Sequence, residues 1–338
     1  MSDPRHLLTW HQLPMALWER LVGRAREHER SRFWQKTATG KSIALMFFNP
    51  SLRTRTSMEL AAAELGAHCT TIVPGSGTWA FAWSRDGVMN GVEAEHIEEA
   101  VGVMSEYYDA IGVRLFASLT DLEADRTDAR LSIFAGASSV PVVNLESAFW
   151  HPCQELADAA TIAQHFEGRP QGRRFVLSWA HHPRALPVAV PNSALMMAAR
   201  SGMEITIACP DGFDLDRGVV DEARSLAAST GGTVTETRDL DSAIAGAHVV
   251  YAKAWSGRQV YEDPDGEAAR RALLSDWRIT ESRMRTTDHG VFMHCLPVRR
   301  NVVVDTAVLK SPQSLHLKQA GFRLHAQKAI LEHVWNLL

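Results

Sequence analysis

The feature that most constrains the fold is an alternation sustained along the whole chain. Short apolar runs are followed, again and again, by segments with helical spacing. The runs are SIALMFF (42–48), HCTTIVP (68–74), AIGVRLF (110–116), VPVVNLE (140–146), FVLSWA (175–180), EITIACP (204–210), GTVTETR (232–238), HVVYAKAW (248–255) and GVFMHCLP (290–297). Between them, ELADAATIAQHF carries apolar residues at Leu156, Ala159, Ile162, Ala163 and Phe166, the spacing of one helix face. MALWERLVGRAREHERSRFW (15–34), EAEHIEEAVGVMSEYY (93–108), NSALMMAARSG (192–202) and the closing RLHAQKAILEHVWNLL (323–338) also read as helices. Parallel strands need crossover connections, and crossover helices cover both faces of the sheet; the pattern therefore predicts an α/β fold with parallel sheets. At 338 residues the chain exceeds one ordinary core, so two domains are expected. EGRPQGRR (167–174) interrupts the pattern with Gly, Pro and charge, and the boundary is expected near it.

Composition narrows the function. With 46% apolar and 22% charged residues the chain reads as a globular, water-soluble protein, and a net charge of −4 argues against nucleic acid or anionic membrane as its main partner. Cys69, Cys153, Cys209 and Cys295 are widely spaced with no CxxC pair, which suits a reducing cytoplasm. The first residues lack a signal-peptide pattern, and no apolar run reaches membrane-spanning length. A cytoplasmic protein is expected. Two motifs fail on inspection. TGKSIAL has Gln35 where a P-loop needs Gly, and a strand follows it rather than a helix. No GxGxxG follows a predicted strand, which weighs against a dinucleotide-dependent dehydrogenase.

NPSLRTRTSMEL (49–60) joins a buried strand to a helix, with Ser51 at the N-cap position and Arg53, Thr54 and Arg55 in the first turn. Cations there oppose the helix dipole, so helix stability does not call for them. A bound dianion reverses the penalty: helix N–H groups and guanidinium forks would grip its oxygens. The plain alternative is a cap beside solvated arginines.

Ser-Leu-Arg-Thr-Arg after a strand resembles the carbamoyl-phosphate signature of the aspartate/ornithine transcarbamylase family. Further markers of that family follow in order: GVRLF with Arg114, HPCQELAD with His151 and Gln154, and HCLP from His294 to Pro297. The resemblance covers essentially the full length. It implies two doubly wound domains with parallel sheets: a carbamoyl-phosphate domain (1–150), an amino-acid domain (151–322), and a C-terminal helix (323–338) packing back on the first. The domains would meet at a cleft that closes on the substrates. Carried over position by position, Ser51, Leu52, Arg53 and Thr54 would hold the phosphate, with Arg323 contributing. Arg114 and His151 would polarise the carbamoyl oxygen, Gln154 would orient the carbamoyl amide, and Cys295 and Leu296 would position the amine through their backbone. Cys295 is not implied as a covalent nucleophile. Neither metal nor redox cofactor is implied. A carbamoyl-phosphate-binding protein without turnover is the alternative of a different class, opposed by the joint presence of Arg53, Arg114, His151 and Gln154.

Residues within the signature separate the branches. Where ornithine-type enzymes carry an Asp for the free α-ammonium, this chain has Lys253 in VVYAKAWSG, and the Ser-Met-Gly loop is absent. A lysine repels an ammonium and attracts a carboxylate, so the α-nitrogen is expected to be acylated; a surface lysine at a strand end is the plain alternative. GTWAF, VMNGVEAEH, YAKAW, HCLPVRRNV and RLHAQKAI resemble the N-acylornithine branch. There, Glu146, His182, Lys253, Leu296 and Arg299 would bind the amino acid. Trp79 and Ala94 would come from a loop reaching a neighbouring subunit's site, which implies a homotrimer; alternatively, Trp79 alternates with Phe81 and Trp83 along one strand. The acetyl type has Glu where Ala94 stands and Lys where Val303 stands. Pro187, Pro191 and the four-residue spacing between Glu146 and His151 follow the succinyl type. The expectation is carbamoyl transfer to N-succinyl-L-ornithine in arginine biosynthesis, with N-acetyl-L-ornithine or another acylated diamino acid as the alternative. Gly321 and Phe322 replace the usual Glu-Asn before Arg323, a departure that would signal an altered pocket.

Overall fold

A computed structural model describes residues 6–11, 13–31, 36–84 and 86–338 of the chain. It divides into two compact units: Met1–Ser118, Glu123–Cys153 and Arg323–Leu338 form one, and Leu119–Leu122 and Gln154–Phe322 the other. Each unit is α/β and built on a parallel sheet, as the alternation predicts.

The sheet of the first unit has the order β2 (His68–Ile72), β1 (Ser42–Phe47), β5 (Ala110–Arg114), β6 (Val142–Glu146), all parallel. Leu7 adds an isolated parallel bridge to Val143 beyond β6. The chain leaves β1 towards β2 and later returns to β5 on the other side. The strand order therefore reverses between β1 and β5, and the carboxyl ends of these strands flank a crevice suited to ligands. Ala44, Met46, Ile111, Val113 and Val142 pack under the helices Ile97–Tyr107 and Ala129–Ala137 in one buried cluster. Gly112 is required by close approach: a Cβ there would meet Leu45 Cδ2 at 2.9 Å and Leu145 Cδ1 at 3.0 Å. The helix Arg53–Leu65 ends on Gly66 at φ 82°, a left-handed cap that glycine adopts without steric cost.

The segment expected as a helix from residue 93 behaves differently at its start. Glu95–His96 (β4) pair with Phe81–Ala82 (β3), and the helix begins at Ile97, with His96 Nδ1 accepting from the Glu98 amide at 3.2 Å. β3 is only two residues long. Phe81 and Trp83 pack against the core while Trp79, outside the strand, is 56% exposed, so the alternating-strand reading of Trp79 does not hold.

The second unit carries the order β11 (Val291–Met293), β10 (Val249–Lys253), β7 (Arg174–Trp179), β8 (Glu204–Ala208), β9 (Thr233–Thr237), again all parallel. Here the order reverses between β7 and β10, where Lys253 lies opposite Trp179. The break at 167–174 lies between the helix Pro152–His165 and β7, whereas the contacts divide the chain earlier, between Cys153 and Gln154. Gly168 and Gly172, both at positive φ, explain why that turn is rich in glycine.

The last helix runs His316–Val334, seven residues earlier than its amphipathic pattern suggested. Its residues from Arg323 onward belong to the first unit, where Lys328 Nζ meets Glu64 at 2.7 Å and Glu332 takes a bidentate contact from Arg24 at 2.7 Å on each oxygen.

Candidate active site

In the first unit the site starts where β1 hands over to the helix Arg53–Leu65. Ser51 Oγ accepts from the Thr54 amide at 3.2 Å, so its side chain caps the helix start although Leu52, not Ser51, is the N-cap residue of Arg53–Leu65. Leu52 is 72% exposed. Thr54 is buried, and its Oγ1 accepts from Arg323 Nη2 at 3.0 Å. That contact brings a guanidinium from 269 residues away to the start of this helix, where the N–H groups already favour an anion. Arg55 points elsewhere and pairs with Glu59 at 3.0 Å. Of the two arginines in the Ser-Leu-Arg-Thr-Arg stretch, Arg55 is thus explained by its own helix.

β5 and β6 end side by side, with Arg114 in register with Glu146 at a local irregularity. The Arg114 guanidinium donates to Glu146 Oε2 and stacks over Phe116, 4.3 Å from the ring centre. His151 Nε2 lies 3.3 Å from the same carboxylate oxygen. Burial first, then the nearby Arg323 and Arg114 charges, holds the His151 imidazole well below its ordinary pKa. A neutral ring whose Nε2 faces a carboxylate donates through an Nε2–H. Arg114 and His151 thus form a buried donor pair, and both turn to Glu146 in this state.

The turn that delivers His151 has its own supports, which the sequence did not reveal. Asn144 is fully buried in β6, and its Nδ2 donates to Leu8 O and Ser147 Oγ, both at 2.9 Å. Asp128, at φ 49°, accepts from Ser147 Oγ at 2.7 Å and from the amides of Ala148 and Phe149 at 2.9 and 3.3 Å. Burial pushes the Asp128 carboxyl up to about 6 against those three donors. A polar residue inside an apolar strand was the only clue to Asn144; for Asp128 there was none.

In the second unit, cations and a histidine gather beyond β7 and β10. Arg299 Nε donates to His182 Nε2 at 3.0 Å, so His182 carries its proton on Nδ1, 2.9 Å from the Arg184 carbonyl. Burial, with Arg299 and Lys253 nearby, lowers the pKa of His182 and keeps it neutral. Lys253 ends β10 and donates to its neighbour's carbonyl, Ala254 O, at 3.0 Å. Lys253 and Arg299, two cations beside this histidine, suit a carboxylate ligand.

The HCLP segment follows β11. The His294 amide donates to Gln319 Oε1 at 2.9 Å and the Leu296 amide to His294 Nδ1 at 2.9 Å. Leu296 sits at φ 58° before a cis bond to Pro297. Gln154 is buried and donates to Asp158 at 2.7 Å. Asp158 and Gln319 are further residues that sequence reasoning did not single out. Cys295 is partly exposed and carries no disulfide.

Three discriminating positions can be read directly. Ala94 is exposed, next to Glu95, whose Oε2 accepts from Trp79 Nε1 at 2.7 Å. Val303 is a buried core residue beside Ile279 and Val308. Phe322 is buried while a Cβ on Gly321 would meet open space, so this departure is absorbed inside a regular helix.

Each of the two parallel α/β units gathers guanidinium groups at strand and helix ends, Arg323 at Thr54 and Arg114 at Glu146 in one, Arg299 at His182 in the other. Comparison with known proteins gives the class. Residues 5–164 match the aspartate/ornithine carbamoyltransferase carbamoyl-phosphate-binding domain, and residues 188–334 match the Asp/Orn-binding domain of the same family. The chain belongs to the aspartate/ornithine carbamoyltransferase family and is a carbamoyltransferase of its N-acylornithine branch. It is 42% identical to the N-acetylornithine carbamoyltransferase of Xanthomonas campestris pv. campestris, over 97% of this chain and 96% of that one. It is 35% identical to the N-succinylornithine carbamoyltransferase of Bacteroides fragilis, over 91% and 92%. Among solved structures, a glutamate-to-alanine mutant of N-acetyl-L-ornithine transcarbamylase complexed with carbamyl phosphate and N-succinyl-L-norvaline superposes with a TM-score of 0.94, at 42% identity over 98% of this chain and 99% of that one.

Proposed function

We propose that this enzyme carbamoylates the side-chain amine of N-succinyl-L-ornithine, giving N-succinyl-L-citrulline and phosphate in arginine biosynthesis. The observation that carries the acyl choice is Ala94. It is exposed and uncharged, one residue before the Glu95 that accepts from Trp79, where the acetyl type has a glutamate that would repel a succinyl carboxylate. Mutants of an acetyl-type relative in which one glutamate is replaced by alanine, proline, serine or valine are complexed with N-succinyl-L-norvaline, which supports the reading that losing that charge admits a succinyl group.

The amine lone pair attacks the carbamoyl carbon, the carbon–oxygen bond to phosphate breaks, and the amine proton leaves with the phosphate. Ser51, Leu52, Arg53, Thr54 and Arg323 hold the phosphate. Arg114 and neutral His151 donate to the carbonyl oxygen as charge develops, each such donor being worth roughly 2–4 kcal/mol. Gln154 orients the carbamoyl amide. His182, Lys253 and Arg299 take the substrate's α-carboxylate, while Glu146 and the backbone at Cys295 and Leu296 seat the amine. The exposed apolar residues Trp79, Val88, Met89 and Val92 support a homotrimer in which Trp79 and Ala94 complete a neighbour's site. Four free thiols, two buried and two partly exposed, fit a cytoplasmic setting.

N-acetyl-L-ornithine is the second reading, favoured by the higher overall identity to the acetyl-type relative. Steady-state kinetics with N-succinyl-, N-acetyl- and free ornithine decide between them, and the mass in solution reports the trimer. The succinyl substrate is expected to have the highest kcat/KM, and Ala94→Glu to lower it at least tenfold more than the acetyl value. A preference for the acetyl substrate, or equal losses for both, defeats the succinyl assignment; a preference for free ornithine defeats the role of Lys253. A mass of one chain defeats the shared site.

A further inference from the structure

An amide side chain offers a carbonyl at one end and an NH2 at the other, and nothing in Gln154 itself decides which end meets a substrate. In this protein the decision lies one helical turn further on, at Asp158. Its side chain is fully buried. Asp158 Oδ1 accepts from Gln154 Nε2 and from Gln319 Nε2, both at 2.7 Å, and Oδ2 accepts from the Tyr251 hydroxyl at 2.8 Å. Gln154, Gln319 and Tyr251 are themselves buried, so these polar groups meet away from water.

In all three contacts the Asp158 carboxylate is the acceptor. Both amides turn their NH2 groups to Asp158 and their oxygens away from it. For Gln319 the other partner is visible: its Oε1 accepts from the His294 amide at 2.9 Å. His294 in turn accepts from the Leu296 amide through Nδ1 at 2.9 Å, which fixes the segment that leads to the cis Leu296–Pro297 bond. For Gln154 the oxygen is the end that would accept from a carbamoyl NH2.

We propose that Asp158 is a positioning residue for the transfer. Its acceptor-only carboxylate sets the amide polarity of Gln154 towards the carbamoyl group and, through Gln319, the backbone of the His294–Leu296 segment that seats the amine. The inference rests on the role given to Gln154 above. A carboxylate serving only as packing would tolerate its isosteric amide, because Asn fills the same volume. A polarity-setting carboxylate would not: the asparagine NH2 can face either glutamine and let it turn over.

The test measures wild type, Asp158→Asn, Gln154→Ala and the double variant, with melting temperature, kcat, KM for N-succinyl-L-ornithine, and the affinity for inorganic phosphate by calorimetry. Asp158→Asn is expected to lower kcat at least tenfold while phosphate affinity changes less than threefold, because phosphate is held by the other unit. Added to Gln154→Ala, it should lower kcat by less than threefold, the non-additive result of acting through that side chain. Unaltered kcat in Asp158→Asn, or losses that multiply in the double variant, overturns the inference. Should Asp158→Asn fail to fold, Gln319→Leu carries the test: KM for the acylated ornithine should rise at least tenfold with phosphate affinity kept, and unchanged kinetics overturns the inference. A wild-type chain that transfers no carbamoyl group overturns the underlying reading of Gln154 as well, so the two failures are told apart.

Discussion

Replacing Glu146 by Gln should strengthen anion binding while weakening turnover. Glu146 Oε2 takes the Arg114 guanidinium and lies 3.3 Å from His151 Nε2, so carbamoyl phosphate bound at this donor pair competes with a carboxylate. Arg114 and His151 are 7% and 2% exposed, so water screens this competition little. A hydrogen bond to a charged group contributes about 1.5–3 kcal/mol net, and a neutral amide gives up the charge-assisted share of it. Recovering about 1.4–2.8 kcal/mol for the ligand corresponds to roughly 10- to 100-fold tighter binding. Calorimetric titration of carbamoyl phosphate into wild type and Glu146→Gln at low salt, without the amine substrate, reads this directly. Repeating it at higher salt checks that the gain is electrostatic. The kcat of the variant should fall, because Glu146 is also placed against the amine. Carbamoyl-phosphate binding that stays equal or becomes weaker would refute the view that Glu146 competes for the donor pair.

Two further outcomes follow from titrating groups. His151, held well below its ordinary pKa by burial and two guanidinium groups, is neutral throughout the near-neutral range, so kcat/KM should show no ionisation near 6.5 that His151→Gln removes; such an ionisation in the pH–rate profile would contradict the neutral donor. Glu332, paired with Arg24, His28 and Thr37, faces a burial cost that its hydrogen bonds outweigh, bringing its carboxyl from 4.5 down to about 2. A folded pKa below the unfolded one stabilises fully above about pH 5 and fades as pH falls from 4.5 towards 2. The shift corresponds to about 3 kcal/mol, which solvent screening reduces to roughly 2 kcal/mol. Glu332→Gln should therefore lower urea stability at pH 7 by that amount and much less at pH 3; an equal gap at both values would count against the linkage.

Much of the chain was legible beforehand because the signals are short-range. Period-two and helical spacings, the Ser51 cap three residues from its amide, and the glycine-rich turn at 168–172 all act over a few residues, and each appears in the structure. The final helix was begun too late because Gly321 interrupts the expected pattern, although a single glycine inside a helix costs only about 1 kcal/mol.

The sequence by itself determined the strands, the helices and the residue types that can hold a phosphate, because hydrogen-bonding groups and apolar periodicity are properties of neighbours along the chain. Only the tertiary structure decided that Arg323 meets Thr54, that Asp128 braces the turn before His151, and that Asp158 joins Gln154 to Gln319. The physical reason is that burial and choice of partner depend on which strand ends a parallel sheet brings together. A histidine becomes a neutral donor, or an amide acquires a direction, only when distant side chains exclude water around it.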